Sequence, residues 1–151
     1  MIVKGSFDPQ SGRPYCQGLL FIPMWHKSSP IDFLVDTGSD VTTLNPADGR
    51  RMRIDYGSLA YTEPTIGVGS SHQAATVSAI VVFASDVGTL PVYSVRLSIT
   101  PYSIECEQLP SLLGTDILLR WRIYWDPTQD RLDFEIISYD AILPRGLISS
   151  F

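Results

Sequence analysis

The sequence predicts an all-β fold around one core, and three observations carry that expectation. Eleven glycines and eleven prolines are spread over 151 residues and divide the chain into short apolar runs, the punctuation of strands joined by turns. Some runs are β-branched and aromatic, such as Ala79-Ile80-Val81-Val82-Phe83, and others alternate, as Leu132-Asp133-Phe134-Glu135-Ile136 does. The length is that of an ordinary domain, sufficient for a core that needs no disulfide staple.

Taken in order, Gly18-Leu19-Leu20-Phe21-Ile22-Pro23 reads as a strand and His26-Lys27-Ser28-Ser29-Pro30 as a loop. A second strand then runs through Phe33-Leu34-Val35 into Asp36, so the two form a hairpin. Val41-Thr42-Thr43-Leu44 is a short β-branched segment. Asn45-Pro46 opens a short helix over residues 46–52, with Asn at the N-cap and Pro at the first helical position, weakened by Gly49. Tyr56 to Tyr61 and Ala74 to Phe83 have strand character and flank a Gly-rich tip, Pro64-Thr65-Ile66-Gly67-Val68-Gly69-Ser70-Ser71. A phosphate cradle there would require a helix after the glycines, and a β-branched run follows instead. Val92 to Ile99 alternates, which predicts a strand with one wet face. After Leu112-Leu113-Gly114, the residues Ile117, Leu118 and Trp121 fall on one helical face, with Thr115 as cap and Asp116 near the positive end. Arg122 to Trp125 and Leu132 to Ile136 form a closing hairpin around the turn at residues 126–130. The folded domain is assigned to residues 1–137. Residues 138–151 form either a frayed tail or a strand that pairs with another chain at a dimer interface.

Charge excludes one class of partner. The net charge is −5 and the basic residues are scattered apart from Arg50, Arg51 and Arg53, so there is no electrostatic footprint for nucleic acid. That small cluster reads as the solvated face of the short helix. Cys16 and Cys106 have neither metal-site spacing nor the density of a disulfide scaffold. Two buried free thiols are the default reading, with one disulfide open only if their strands are neighbours. The first residues lack the apolar centre of a signal peptide and no apolar stretch is long enough to cross a bilayer, which predicts a cytoplasmic protein without membrane association.

The chemistry concentrates at Phe33-Leu34-Val35-Asp36-Thr37-Gly38-Ser39-Asp40-Val41. A continuous apolar run suits a strand buried on both faces, and the polar residues after it cannot continue that burial without dedicated partners. The chain must turn with Asp36 in a protected place, a setting suited to acid–base work. Asp-Thr-Gly alone also describes an ordinary turn.

Three features stand in order: apolar-Asp-Thr-Gly-Ser, a Gly-rich hairpin, and Leu-Leu-Gly-Thr-Asp leading a short helix. Over roughly residues 15–137 the chain resembles the retropepsin-like aspartic proteases, the single-domain relatives of pepsin that include the retroviral proteases. The resemblance implies a closed β-barrel with a flap hairpin and one or two short helices. It implies Asp36 as the catalytic carboxylate, with Thr37 and Gly38 completing the triplet. Gly67, Val68, Gly69 and Ser70 would be the substrate-binding tip of the flap, and His72, just beyond it, a solvent-exposed residue. It implies no metal or cofactor, an extended peptide or unfolded protein as substrate, and cleavage between bulky apolar residues. Because hydrolysis by this route needs two carboxylates and the chain has one triplet, the active species is expected to be a homodimer. Ser39 follows the pepsin pattern, and a hydroxyl bonded to the ionised pair would favour an acidic optimum. The competing expectation is a silent domain that keeps the fold for dimerisation or peptide binding.

Overall fold

The computed structural model describes residues 1–67 and 70–148, with the side chains of residues 63, 65–67 and 70–72 left aside. Twelve strands follow in order: β1 (Ile2–Lys4), β2 (Ser6–Phe7), β3 (Pro14–Ile22), β4 (Lys27–Val35), β5 (Thr43–Leu44), β6 (Glu63–Gly67), β7 (Ser70–Val82), β8 (Thr89–Ile99), β9 (Leu112–Leu113), β10 (Trp121–Asp126), β11 (Arg131–Ile136) and β12 (Ala141–Pro144). Two short helices, α1 (Pro46–Arg51) and α2 (Thr115–Leu118), interrupt them.

The main sheet runs in the order β8-β5-β9-β4-β3-β7 and closes when β7 pairs back onto β8, from Ala75 opposite Ile99 to Val82 opposite Val92. Closure removes the free margins that a flat sheet would expose. The interior is filled by side chains with no exposed surface, among them Leu20, Ile22, Ile31, Phe33, Leu44, Val81, Leu97, Ile99 and Leu113. Below the barrel, a three-stranded sheet, β1-β11-β10, is joined to it by an aromatic cluster. Trp121 meets Phe83 edge-on at 4.8 Å between centroids and Phe134 at 5.0 Å. Its Nε1 donates to Tyr93 Oη at 2.7 Å, and that hydroxyl donates to the Ser138 carbonyl at 3.0 Å. Burial pushes the Tyr93 phenol up to about 12, so it keeps the proton this second bond uses.

Most elements lie where the sequence puts them, and the differences have physical causes. Lys27 to Pro30 belong to β4 instead of a loop, because Pro23–Trp25 form a single 3-10 turn closed by His26 in the left-handed region at φ 50°. Those residues are polar since Ser28 and Pro30 face outward, not because the strand has ended. Tyr56–Ser58 form a 3-10 turn with Asp55 accepting from Gly57 N, and the strand predicted there begins only at Glu63. The hairpin is correspondingly longer than the Gly-rich tip suggests, with β6 and β7 paired from Glu63 opposite Ala74 to Gly67 opposite Ser70. α2 ends at Leu118 and Trp121 opens β10, so those apolar residues are all buried although only the first two are helical. The wet face predicted for β8 is reduced to Ser94 and Arg96 as exposed positions.

The chain end is the largest change. Residues 141–144 form a strand on the chain's own sheet: β12 pairs antiparallel with β8, from Ala141 opposite Val92 to Pro144 opposite Thr89. Leu143 and Ile148 cover a second apolar cluster of Leu19, Val82, Leu90 and Val92. Arg120 anchors the approach, with an ion pair to Asp140 at 2.9 Å and a bond to Ser138 Oγ at 3.1 Å. Residues 149–151 lie outside the description. Gly49, a poor helix residue, is required by contact: a Cβ there would fall 2.0 Å from Tyr56 Oη. Cys16 and Cys106 are both buried and free. Arg51 pairs with Asp48 at 2.8 Å and Arg50 with Glu107, consistent with a solvated helix face.

Candidate active site

β4 carries Ile31, Phe33 and Val35 into the core and releases the chain at Asp36, which is half-buried. Beside it, β9 runs parallel, Leu34 opposite Leu112 and Val35 opposite Leu113. Asp36 N donates to the Leu113 carbonyl at 3.1 Å, so the ladder holds the backbone up to the carboxylate itself. The turn then closes on its own side chain: Gly38 N donates to Asp36 Oδ1 at 2.9 Å and Ser39 N to the Asp36 carbonyl at 3.2 Å. This is the local arrangement that makes Asp and Gly turn residues. Thr37 and Gly38 are exposed at its outer side.

A second segment braces the turn from beneath. Thr115 N donates to the Ser39 carbonyl at 2.8 Å and Thr115 Oγ1 to the Asp40 carbonyl at 3.4 Å. The predicted cap position is thereby moved: Gly114 caps α2, and the Thr115 side chain reaches the loop after Asp36. Asp116 accepts Thr42 N on Oδ2 at 2.9 Å, and Thr42 Oγ1 and Ile117 N on Oδ1 at 2.8 and 3.0 Å. Gly114 N in turn donates to Thr42 Oγ1 at 3.2 Å. The approach is too close for any side chain at Gly114, where a Cβ would fall 2.4 Å from the Val41 carbonyl carbon. Leu112-Leu113-Gly114 therefore has both parts of its composition explained, the leucines by the ladder and the glycine by the crossing.

Thr42 and Ser111 are the residues that sequence reasoning missed. Both are fully buried polar side chains, and burial of that kind requires partners. Ser111 Oγ accepts Asn45 N at 3.0 Å and donates to Asp48 Oδ2 at 2.7 Å, tying the loop before β9 to α1. Asn45 does not cap the helix with its side chain; its Nδ2 donates to the Pro110 carbonyl at 2.6 Å and its Oδ1 accepts from Thr100 Oγ1 at 2.7 Å. The only sequence signal for this network is a hydroxyl set within apolar surroundings, as at Val41-Thr42-Thr43-Leu44.

Ser39 corrects an expectation. Its hydroxyl donates to the Val41 carbonyl at 2.8 Å, so its one proton is spent inside the loop and does not reach the Asp36 carboxylate. The basis for an acidic optimum through Ser39 is removed. Of the hairpin residues assigned to substrate, Gly67 and Ser70 face each other as the last backbone pair of β6 and β7. Val68 and Gly69, and the side chain of His72, lie outside the described residues. Among those described, no group of three or more His, Cys, Asp or Glu is placed to hold a metal ion, and no helix is long and apolar enough to cross a membrane.

Comparison with known proteins agrees with this fold. A retropepsin-like aspartic protease from Rickettsia conorii superposes with a TM-score of 0.58 at 19% identity, over 89% of this chain and 88% of that one. The EIAV protease complexed with the inhibitor HBY-793 is similar at 22% identity, with a TM-score of 0.46, over 74% of this chain and 90% of that one. No curated protein sequence matches significantly. The fold is the retropepsin-like barrel. The sequence pattern described as aspartyl protease matches residues 22–117, a span that takes in the Asp36 turn and the Gly114 crossing beneath it, and with well over half of its length so matched the chain belongs to the aspartyl protease family.

Proposed function

We propose that this chain is an aspartic endopeptidase whose active form is a homodimer, each copy contributing Asp36 to one catalytic pair. The observation that supports it best is the state of Asp36: a half-buried carboxylate on a turn braced from two sides, engaged by Gly38 N through Oδ1. Asp116 is unsuited to be the second carboxylate within the chain, since both its oxygens are occupied by Thr42 and Ile117.

In this reading two carboxylates at about 3 Å share one proton, because like charges that close cannot both ionise cheaply. The ionised carboxylate takes a proton from a water, which attacks the peptide carbonyl carbon. The protonated one gives its proton to the carbonyl oxygen. Collapse of the resulting diol breaks the C–N bond: the leaving nitrogen takes up the proton the base had removed, and a diol hydroxyl returns its proton to the other carboxylate. The pair titrates as a unit and gives a bell-shaped pH profile. The substrate in this reading is an extended peptide bound through its main chain, with the β6–β7 hairpin as its cover.

The test is incubation with an unfolded protein from about pH 3 to about pH 8, with and without pepstatin, for wild type and Asp36→Asn. Pepstatin-sensitive cleavage that disappears in Asp36→Asn is the expected result. Cleavage that survives the substitution overturns the assignment, and absence of cleavage at every pH leaves a peptide-binding or dimerisation domain.

A further inference from the structure

One stretch of β7 is paired on one side only. Over residues 75–82 it faces β8, from Ala75 opposite Ile99 to Val82 opposite Val92. On its other side β3 reaches only to Phe21 opposite Ile80, and β6 begins at Glu63 opposite Ala74. Residues 75–79 have no strand on that side among the described residues. The opening holds a cavity of about 510 Å³, lined beside β7 by Pro23 and Met24, which follow β3, and by Leu59 and Ala60, which precede β6. The main chain of β7 is aimed into it. Opposite residues of an antiparallel pair exchange both bonds or neither, in alternation. Ser98 N is given to the Thr42 carbonyl and Ser94 N to Asp140 Oδ2, both away from β7. The pairs Thr76 with Ser98 and Ile80 with Ser94 are thus unbonded, as is Ser78 with Arg96 between them. The N–H and C=O groups of Thr76 and Ser78 therefore point into the opening, and none is bonded there among the described residues. An open strand margin of this kind is a template for another strand.

We propose that this opening is a docking slot for an extended acidic peptide segment of a partner protein, which adds to β7 as a short strand between β3 and β6. It runs antiparallel to β7, as both of those strands do. One of its residues lies opposite Ser78 and another, two positions on, opposite Thr76, each exchanging both main-chain bonds. Residues directly opposite share a face. The first and third side chains of the segment therefore point outward with exposed Ser78 and half-buried Thr76. The middle one takes the face of buried Val77, in a cavity whose walls include Met24 and Leu59, and is apolar.

Charge names the outward residue opposite Ser78. Arg96 lies across from Ser78 on the same outward face, is exposed, and makes no ion pair among the described residues. A second cavity, of about 410 Å³, reaches from Ser78 to Arg96 and shares Pro23 with the first, and no acidic side chain lines either one. Asp140, the acid beside β8, is already held by Arg120 and Ser94 N. The added strand lies two strand spacings from β8, roughly 10 Å, which an arginine and a glutamate span together across the small Ser78. The slot goes beyond the protease reading and does not depend on it. Ile22 opposite Lys27 marks this end of the barrel, and the nine residues of β4 separate it from Asp36 by about 30 Å along the strand. An occupant joins β3 to β6 in one row along β7 and so ties the base of the hairpin to the barrel.

Fluorescence anisotropy with a labelled peptide, Ser-Gly-Glu-Leu-Thr-Gly-Ser blocked at both ends, tests the slot. The full-length Asp36→Asn chain is used so that turnover does not consume the probe. Saturable binding is expected, weakened about tenfold by Arg96→Glu and regained when the glutamate of the peptide is exchanged for lysine. Methylating the backbone nitrogen of that glutamate, which removes the donor facing the Ser78 carbonyl, should also cost about tenfold. In amide hydrogen exchange the peptide should protect Thr76 and Ser78 and leave Gly38 unchanged. No saturable binding up to about 1 mM peptide overturns the slot, as does binding indifferent to the charge exchange. Protection of Gly38 without Thr76 and Ser78 places the peptide at the Asp36 turn and overturns it as well. Slot binding by a chain whose wild type cleaves nothing upholds the slot and counts only against the protease reading; cleavage by a chain whose slot takes no peptide does the reverse.

Discussion

Two aspartates lie on the two segments that cross at Gly114, and their surroundings differ. Asp36 accepts one backbone N–H, from Gly38, at the half-buried rim of a turn. Asp116 accepts three donors, from Thr42 N, Thr42 Oγ1 and Ile117 N, and Thr42 is fully buried. One carboxylate is consumed by architecture; the other keeps acceptor capacity for a ligand. The same residue type thus does two jobs within one small region, separated by how many protein donors reach it. In the proposed function the Asp36 carboxylate must be held without being used up, and here the holding is delegated to a neighbour.

Truncating each aspartate is the strongest way to break this comparison. Asp116→Ala leaves Thr42 N and Oγ1 without an acceptor inside the protein, and an unsatisfied buried donor costs about 1–3 kcal/mol. The expected loss is about 3 kcal/mol of unfolding free energy, measured by urea denaturation, a large share of an ordinary domain's stability. Asp36→Ala should cost under about 1 kcal/mol, because the backbone bonds from Ser39 N and to Leu113 O remain. Activity should behave oppositely in character: at a temperature where both are folded, Asp116→Ala retains measurable turnover, and Asp36→Ala loses it by about a thousandfold or more. Equal stability losses for the two would mean that the carboxylates are not divided between structure and chemistry.

How far this division was legible depends on sequence distance. The strand into Asp36 and the turn after it are local signals, an apolar run followed by Asp-Thr-Gly, and they lie where they were expected. Leu112-Leu113-Gly114 carries an equally compact pattern. The Thr42–Asp116 pair joins residues 74 positions apart, and no periodicity records a partner at that separation. Strand ends were lost for a related reason. Lys27 to Pro30 are polar and look like loop until β3 is placed beside them, with Leu19 opposite Pro30. β12 is four residues ending in proline and becomes a strand only because β8 offers Thr89 to Val92 as its template. The burial of Asp133 inside an alternating strand is likewise invisible until Lys4 arrives from β1 at 2.7 Å.

Acid pH sharpens the comparison, since an assay of the open carboxylate will be run where paired carboxylates elsewhere begin to let go. Hydrogen bonds from Lys4 and then Arg131 hold Asp133 below the usual carboxylate range, and Arg120 does the same for Asp140, helped by Ser94 N. A carboxyl depressed in the folded state stabilises the fold above its unfolded value of about 4, and that contribution is lost as pH falls through the folded value. The melting temperature should therefore decline below about pH 4, and Asp140→Asn should flatten that decline while lowering the melting temperature at neutral pH. A wild-type melting temperature unchanged down to about pH 3 would show that these pairs contribute nothing.

The smallest expected effect concerns Ser39, and it separates the structural reading from the sequence one most cleanly. If its hydroxyl bonded the ionised Asp36 pair, removing it would raise the lower apparent pKa and move the acid limb of the activity profile toward neutral pH. The hydroxyl instead donates to the Val41 carbonyl, two residues along the same loop. Ser39→Ala then removes one exposed local hydrogen bond, worth about 0.5–1 kcal/mol. It leaves Ser39 N on the Asp36 carbonyl and Thr115 N on the Ser39 carbonyl untouched, since both are main-chain bonds. The profile of cleavage rate against pH should keep its shape and position, with at most a small loss of stability. An acid limb displaced toward neutral pH would mean that the Ser39 side chain turns to the catalytic pair when two copies associate.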